Sequence, residues 1–406
     1  MDTPDPNLTG ASPQPKPRAD ALEFVDTPGG FGAIREILRR VPAEVIEADA
    51  TLRALLERWG EVPACSGARE PTAGRGPAEV VVGTAPTKSA LHRVPEPIDL
   101  DRVIVVPKLT KVQYDMIRYR WTYEELLENY GAGPEDKRRI IASHERQVAA
   151  LGAFRALLRP DQIVRRDEPT PERFGAASLI IAFGGDNHFQ FVAQQVGGRT
   201  PVWGVNSDPC TSFGALLGVD AAGIAGALDR LARGDYRFEP WTRVVVEVDG
   251  VTLPPALCDV FLGERERRFM SRHRLEFVPG GATEVQSMEQ KSSGLLIATG
   301  AGSSGWSTSA ARYLFPGGIS FPRTDRAARY LLTEASSALP GFKGGVPPWS
   351  TGTLLQDGEL VVHSLNDSDG LVSVDSLTDA PFPRGSKAVI RIAPEPLWVP
   401  CLDESS

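Results

Sequence analysis

An aspartate on a glycine turn is the first feature of the chain that could perform chemistry. Gly184, Gly185 and Asp186 directly follow the segment Ser178–Phe183, whose apolar run is typical of a buried parallel strand. Paired glycines let the backbone turn sharply and approach a ligand without interference from Cβ atoms. The aspartate can accept a proton from a hydroxyl or orient that hydroxyl for attack on a phosphoryl group. The same tripeptide is also a common plain turn, so alone it is a weak signal.

A second motif follows the next predicted strand. Asn206 and Asp208 lie in the sequence Gly-Val-Asn-Ser-Asp-Pro, which begins at Gly204. The amide can both donate to and accept from a base or ribose, and the carboxylate could face a metal ion or a sugar hydroxyl. Asn, Asp and Pro also form ordinary turns, and that alternative stays open.

A third motif combines a strand with a loop of small residues. Gly294–Ala298 is a predicted strand, and the loop after it supplies six candidate ligand contacts: Thr299, Gly302, Ser303, Ser304, Gly305 and Trp306. Successive N–H groups and hydroxyls can form a nest for an anion, and an indole can stack on a base. A flexible Gly/Ser linker is the alternative, although the preceding strand and the tryptophan favour ligand contact.

Lys108 follows the first predicted strand, Val103–Val106, and could neutralise a polyphosphate. A solvated basic surface is an equally good interpretation of this lysine and its basic neighbours.

Two kinds of apolar pattern predict the elements that must position these residues. Between Val103 and about residue 233, short apolar segments alternate with helical ones, which predicts a parallel sheet covered on both faces. Ligands of such sheets bind beyond the carboxyl ends of the strands, where Asp186 and Asn206 lie. After Pro240 the pattern becomes mainly β, with one helix predicted near Arg326–Ala338.

The predicted organisation has three parts. They are a partly disordered N-terminal extension over residues 1–98, an α/β domain over 99–238 and a β-rich domain over 239–406.

Composition excludes several classes of protein. A net charge of −8 argues against a nucleic-acid-binding protein, and four scattered cysteines without a CxxC pair give no sign of a structural zinc site. Five scattered histidines make a histidine-based metal site unexpected. The chain has neither an apolar run long enough to span a membrane nor a secretory signal. A cytoplasmic location is therefore expected.

Together the three motifs resemble the NAD kinase family, whose fold is shared with diacylglycerol-type lipid kinases. The resemblance is nearest to the mitochondrial-type branch and rests on residues 204–209 and on Lys-Ser-Ser-Gly-Leu at 291–295, followed by the loop that ends at Trp306. It implies an α/β domain, a β-rich domain and a homodimer or larger homo-oligomer. It also implies phosphoryl transfer from ATP, or from polyphosphate, to the 2′-hydroxyl of the adenosine ribose of NAD.

The same resemblance implies roles for individual residues. Asp186 stands where the family has its catalytic aspartate. Mg²⁺ would be held mostly by the donor phosphates, with no dedicated metal site on the protein. Residues implied to contact nucleotide are Lys108, Gly184, Gly185, Asn187, Asn206, Asp208, Asp259, Thr299, Gly302, Ser303, Ser304, Gly305 and Trp306.

The chain departs from the family pattern around the acceptor. Asn187 and His188 replace the usual glycine and threonine, and Cys258 and Asp259 replace an Asn-Glu pair. A lost hydrogen bond in a desolvated site costs about 1–3 kcal/mol, so these changes could alter the acceptor. Two alternatives therefore stand beside NAD phosphorylation. One is a kinase for another hydroxylated metabolite, such as a nucleoside, sugar or lipid, and the other is a non-catalytic nucleotide-binding homologue.

Overall fold

The computed structural model covers most of the chain after the N-terminal region. It describes residues 80–130, 134–166, 168, 171–312, 314–315, 319–336 and 349–402. All of them belong to one structural unit that begins at Arg75. Most of the predicted N-terminal extension, up to residue 79, lies outside the described residues.

The elements are numbered in chain order. The helices are α1 (Lys111–Tyr119), α2 (Tyr123–Asn129), α3 (Pro134–Leu157), α4 (Pro171–Ala176), α5 (Asp186–Gln195), α6 (Ile224–Arg233) and α7 (Trp306–Ala311). The strands are β1 (Val80–Val82), β2 (Val103–Pro107), β3 (Leu179–Gly184), β4 (Val202–Asn206), β5 (Val219–Asp220), β6 (Arg237–Trp241), β7 (Val244–Val248), β8 (Val251–Thr252), β9 (Asp259–Glu264), β10 (Ser271–Phe277), β11 (Gln286–Ser292), β12 (Gly294–Thr299), β13 (Ala327–Thr333), β14 (Thr351–Leu355), β15 (Leu360–Ser364), β16 (Gly370–Val374), β17 (Thr378–Pro381), β18 (Lys387–Ile392) and β19 (Leu397–Cys401).

The first half contains the predicted parallel sheet. Its strand order is β2-β3-β4-β5, and every neighbouring pair is parallel. Successive residues of β3 point to opposite faces, so Ile180 packs with Phe189 of α5 on one face. Ile181 packs with Phe154 of α3 and Leu228 of α6 on the other. Helices therefore cover both faces, which explains why all six residues of β3 are buried.

The second half is built from antiparallel β-structure. One sheet has the order β1-β14-β13-β12-β9-β16-β17, and the other has the order β11-β10-β15-β18-β7-β8. Only the β1–β14 pair in these two sheets is parallel among the described strands. An apolar core lies between the sheets and includes Val246, Leu262, Leu295 and Tyr330. The predicted fold class, a parallel α/β region followed by a mainly β region, is confirmed.

One predicted helix is wrong. Residues 327–333, within the segment predicted as a helix near Arg326–Ala338, form β13, which pairs with β12 on one side and β14 on the other. The sequence Ala-Ala-Arg-Tyr-Leu-Leu-Thr has good helix formers, but its place inside the sheet outweighs this local preference. Ile163 forms a single parallel bridge with Val105 of β2.

Of the described residues, none belongs to a helix that is both long enough and apolar enough to cross a membrane.

Candidate functional site

The site begins where β3 turns into α5. Asp186 is the first residue of α5 and is partly exposed. Its two carboxylate oxygens accept hydrogen bonds from the backbone N–H groups of Ala215, at 3.1 Å, and Leu216, at 2.8 Å. A Cβ atom on Gly184 would lie 2.8 Å from the His188 ring, so the turn requires glycine at that position. The carboxylate is therefore fixed in direction while each oxygen keeps a further lone pair for a ligand.

Asn206 shapes the loop that holds this carboxylate. Its amide donates to the backbone oxygen of Ser212 at 3.0 Å and accepts from the Asp208 N–H at 3.1 Å. Gly214 then adopts a positive φ of 70°, which brings Ala215 and the next residue back towards Asp186. Asn206 is only 6% exposed. Asn206 therefore forms the turn, and its predicted nucleotide contact stays a prediction.

Asp208 lies in a buried ion pair. Its side chain is 1% exposed and pairs with Arg146 of α3 through bonds of 2.8 and 3.0 Å. The hydroxyls of Ser143 and Thr211 bind the same carboxylate. Burial raises the pKa of Asp208, but these hydrogen bonds outweigh burial and lower it to about 2. Asp208 therefore ties α3 to the end of β4, and its predicted nucleotide contact stays a prediction.

One face of α5 connects the parallel sheet to the β-rich half. Asp186, Gln190 and Gln194 are spaced four residues apart, which places them on the same side of the helix. Gln190 donates to the sulfur of Cys258 at 3.2 Å, and Gln194 donates to a carboxylate oxygen of Asp375 at 3.1 Å. The face of α5 that carries Asp186 therefore lies against the segment that leads into β9.

Asp375 fixes that segment. Its carboxylate accepts the backbone N–H groups of Leu257, Cys258 and Asp259 at 2.9, 2.7 and 3.0 Å, besides the bond from Gln194. Asp375 follows β16 with a positive φ of 51°. Asp375 is not among the site residues predicted from the sequence. Nothing local in the sequence shows that the end of β16 meets the start of β9, so its role was missed.

Burial and neighbouring charges raise the pKa values of Cys258 and Asp259. Burial raises the pKa of Cys258 well above its usual value, and the charges of Asp375, Asp259 and Asp186 act in the same direction. Burial, with the charge of Asp375, raises the pKa of Asp259 to about 7. Cys258 accepts a hydrogen bond from Gln190 and lacks the paired amide contacts of the Asn it replaces.

The predicted Ser/Gly loop packs directly on Cys258. A Cβ atom on Gly302 would lie 2.2 Å from the Cys258 backbone oxygen, so this close approach requires glycine. Thr299 is fully buried and its hydroxyl donates to the Leu257 backbone oxygen at 2.5 Å. Ser303 is 1% exposed, and its hydroxyl donates to the Gly300 backbone oxygen at 2.8 Å. These contacts give the three residues architectural roles, and their predicted nucleotide contacts stay predictions.

The exposed part of the same loop is available to a ligand. Ser304 and Gly305 are exposed, and Trp306 is half-buried. The indole packs against the Phe261 ring with 5.3 Å between ring centroids, and the guanidinium of Arg267 lies 5.4 Å from the indole centroid. Ser304, Gly305 and Trp306 keep the access that their predicted nucleotide contacts need.

A cleft lies beside this loop. It has a volume of about 540 Å³, and its lining includes Ser303, Ser304 and Arg323. Arg323 donates to the backbone oxygen of Ala215, the residue whose N–H holds Asp186. Arg323 was not identified from the sequence, because only the folded chain brings it next to Ala215. It supplies positive charge between the cleft and the carboxylate.

Lys108 and Asn187 lie at the other side of the turn. The Lys108 N–H donates to the Phe183 backbone oxygen at 2.9 Å, which places the lysine beside the end of β3. Burial lowers the pKa of Lys108, although the charge of Asp208 opposes this effect. Asn187 is exposed at the first turn of α5. A Cβ atom on Gly185, the residue before α5, would lie 3.1 Å from the Ser212 hydroxyl. The glycine therefore lets the backbone at this position lie close to Ser212.

The described residues contain no group of three or more His, Cys, Asp or Glu side chains arranged to hold a metal ion. They therefore do not form a protein cage for Mg²⁺, and a Mg²⁺ ion would depend on phosphate oxygens of a bound donor.

The chain is similar to proteins named as NAD kinases. No family model matches the chain. It is 27% identical over 277 residues to "NAD kinase 2, mitochondrial" of Xenopus tropicalis, an alignment that covers 51% of this chain and 62% of that protein. It is 25% identical over 307 residues to the protein of the same name from Rattus norvegicus, covering 63% of this chain and 69% of the relative. The two alignments thus span about two thirds of these two relatives.

A solved structure shares the fold. The crystal structure of yeast NADH kinase complexed with NADH superposes with a TM-score of 0.52 at 14% identity, covering 82% of this chain and 91% of that chain.

Proposed function

We propose that this chain, which belongs to the NAD kinase family, phosphorylates NAD at the 2′-hydroxyl of its adenosine ribose with ATP as donor, giving NADP. The names of the curated relatives support the NAD kinase assignment. The acceptor, the donor and the product are our proposal for this chain, because identity is low and the match covers part of each relative.

The proposed step is a phosphoryl transfer in which Asp186 acts on the acceptor hydroxyl. The hydroxyl oxygen attacks the γ-phosphorus, the new O–P bond forms, and the bond from phosphorus to the bridging oxygen breaks. ADP leaves with that electron pair. The hydroxyl proton passes to the Asp186 carboxylate and from there to solvent.

The observation that carries this proposal is the fixed direction of Asp186. Two backbone N–H groups hold its carboxylate, and the same face of α5 binds Cys258 and Asp375. A carboxylate held in this way can orient a hydroxyl without first paying the entropy of ordering its own side chain. The cleft lined by Ser304 and Arg323 gives a nucleotide room beside it.

Positive charge near the transferring group comes from Lys108 and Arg323. Both flank the turn, Lys108 beside Phe183 at the end of β3 and Arg323 bound to Ala215. Mg²⁺, when bound to the donor, would neutralise phosphate charge. Because no described cluster holds this ion, the proposal assigns it no protein ligand.

A second acceptor class is favoured by one observation, the pair Cys258 and Asp259. The Cys258 sulfur is occupied by Gln190, and Asp259 has a pKa of about 7, raised by burial and by the charge of Asp375. A half-protonated carboxyl beside a thiol recognises a different hydroxyl pattern from the paired Asn-Glu contacts of the family. Another hydroxylated metabolite, a nucleoside, sugar or lipid, is therefore the alternative acceptor on the same machinery.

An acceptor panel separates these proposals. Purified full-length protein is incubated with Mg-ATP and, separately, with NAD, NADH, adenosine, simple sugars and diacylglycerol, and phosphorylated products are identified by mass spectrometry. NAD kinase activity predicts NADP, or NADPH from NADH. Products from another acceptor alone support the second proposal, and no product from any acceptor contradicts both.

Cytoplasmic location and homodimerisation stay predictions. Gel filtration with light scattering would test the second directly, because a monomeric mass at micromolar concentration contradicts it.

A further inference from the structure

A second large pocket lies beside the catalytic turn and is separate from the cleft described above. It opens at the carboxyl end of β2 and has a volume of about 780 Å³. Its lining includes Lys108, Met116 and Ile117 from the segment after β2 and from α1, Arg155 from α3, Arg166, and Phe191 from α5. We call this the β2-end pocket.

The pocket combines positive charge with an apolar wall. Its described lining residues include four basic side chains, among them Lys108 and Arg166, and no acidic one. The guanidinium of Arg166 lies 3.7 Å from the centroid of the Phe191 ring. A ligand suited to these walls has negative charge at one end and a flat or apolar body at the other.

Lys108 and Arg166 are partly buried, and neither forms an ion pair with a described residue. Burial lowers the pKa of Lys108 and of Arg166. The carboxylate that acts on Lys108 is Asp208, which is already paired with Arg146. Arg166 has no carboxylate of a described residue within ion-pair distance. Two such cations are stabilised by an incoming anion, since a charge removed from water needs a partner.

Lys108 also connects the pocket to Asp186. The lysine lines the pocket, and its N–H binds Phe183, three residues before Asp186. Neighbouring strands in a sheet lie about 4.8 Å apart, so Lys108 stands next to Gly184 at the same sheet edge. A phosphate chain that begins in the β2-end pocket would therefore lead across the glycine turn towards Asp186.

We infer that the β2-end pocket binds the nucleoside triphosphate that donates the phosphoryl group, with its base against Phe191 and Met116 and its phosphates on Lys108 and Arg166. This inference rests on the proposed function, because it assigns the donor to one side of Asp186. The acceptor then occupies the cleft at Ser304 and Arg323 on the other side.

Calorimetric binding tests this inference without requiring turnover. Full-length wild type, Arg166→Gln and Met116→Trp are titrated with Mg-ATP, with Mg-tripolyphosphate and with NAD. Arg166→Gln removes a charge, and Met116→Trp fills the apolar part of the pocket. Arg139→Gln, an exposed arginine on α3 paired with Asp136, is the matched control, and circular dichroism verifies that each variant is folded.

The two variants should behave differently with the two phosphate probes. We expect Arg166→Gln to weaken both ATP and tripolyphosphate by about ten-fold, the loss typical of one charge-assisted contact. Met116→Trp should weaken ATP by a similar factor and leave tripolyphosphate unchanged. NAD binding should be unchanged in both, and Arg139→Gln should match wild type with every ligand.

Several results would overturn the inference. They are a wild type that does not bind ATP, folded variants that bind ATP as well as wild type does, and a loss of NAD binding in place of ATP binding. Failure of the proposed function is a separate result. It appears as absence of NADP in the product assay, whereas the donor site is judged from ATP binding alone.

Discussion

The sharpest consequence of the site geometry concerns Asp375, which touches no predicted ligand. Replacing it by asparagine keeps the size and one oxygen of the side chain but exchanges the other oxygen for an NH₂ group. In the wild type one oxygen accepts from Cys258 and Asp259, and the other accepts from Leu257 and Gln194. Whichever way the amide turns, two buried N–H donors face another donor.

The size of the effect follows from these contacts. A buried donor left without an acceptor costs about 1–3 kcal/mol, so two such donors cost about 2–6 kcal/mol. Loss of the buried charge offsets part of this cost, since burial raises the pKa of Asp375 and its charge also raises that of Asp259. We expect a net loss of about 2–4 kcal/mol in the free energy of unfolding. Phosphoryl transfer should fall as well, because the start of β9 and Gln194 lose their shared anchor.

Urea unfolding followed by circular dichroism measures the first quantity, and the NADP assay measures the second. Asp379→Asn is the matched control, since Asp379 is half-exposed and forms only a 3.5 Å contact with Arg265. The control should stay within about 0.5 kcal/mol of wild type. If Asp375→Asn behaved like Asp379→Asn in both assays, the anchoring role argued for Asp375 would be refuted.

Two further predictions test the packing and the electrostatics of the same region. Gly302→Ala should destabilise the protein by about 1–3 kcal/mol in thermal unfolding and reduce activity, because its Cβ atom would lie 2.2 Å from the Cys258 backbone oxygen. The control is Gly226→Ala on α6, where the space around the residue is open. This variant should be neutral or stabilising in the same experiment. Asp259 has a pKa of about 7 in the folded protein, against an ordinary value of 3.8. Between these pH values it is protonated in the folded protein and ionised in the unfolded chain. Its contribution to the free energy of unfolding should therefore fall as the pH rises from about 4 to 7. The free energy of unfolding, measured at pH 5, 6 and 7, should therefore fall less steeply with pH in Asp259→Asn than in wild type. The two slopes should differ by up to about 1.4 kcal/mol per pH unit. Equal slopes would contradict the raised pKa of Asp259.

The sequence predicted well those elements whose local pattern and tertiary environment agree. The apolar run of β3 is buried on both faces, and Asp186 falls at its carboxyl end as the rule for parallel sheets predicts. The segment Ala327–Thr333 shows the opposite case. Its residues favour a helix in isolation, yet pairing with β12 and β14 makes it a strand.

The site was predictable only in part, because side chains of one type can serve a ligand or the fold. Asn206 and Asp208 have the chemistry to bind a nucleotide, but their partners are Ser212 and Arg146. Asp375 binds Gln194 of α5 and Arg323 binds Ala215 only through long-range packing, which leaves no local pattern in the sequence. Spacing identified the carboxylate at the centre, whereas the residues that hold it required the structure.

The most direct test of the central claim compares turnover with binding in Asp186→Asn. The amide can still accept one of the two backbone N–H bonds, so the fold and the affinities for ATP and NAD should be nearly unchanged. The rate of phosphate transfer at saturating ATP and NAD should fall by about 10²–10⁴-fold, the usual contribution of a positioned acid–base group. A variant that transfers phosphate at the wild-type rate would contradict the role we assign to this carboxylate.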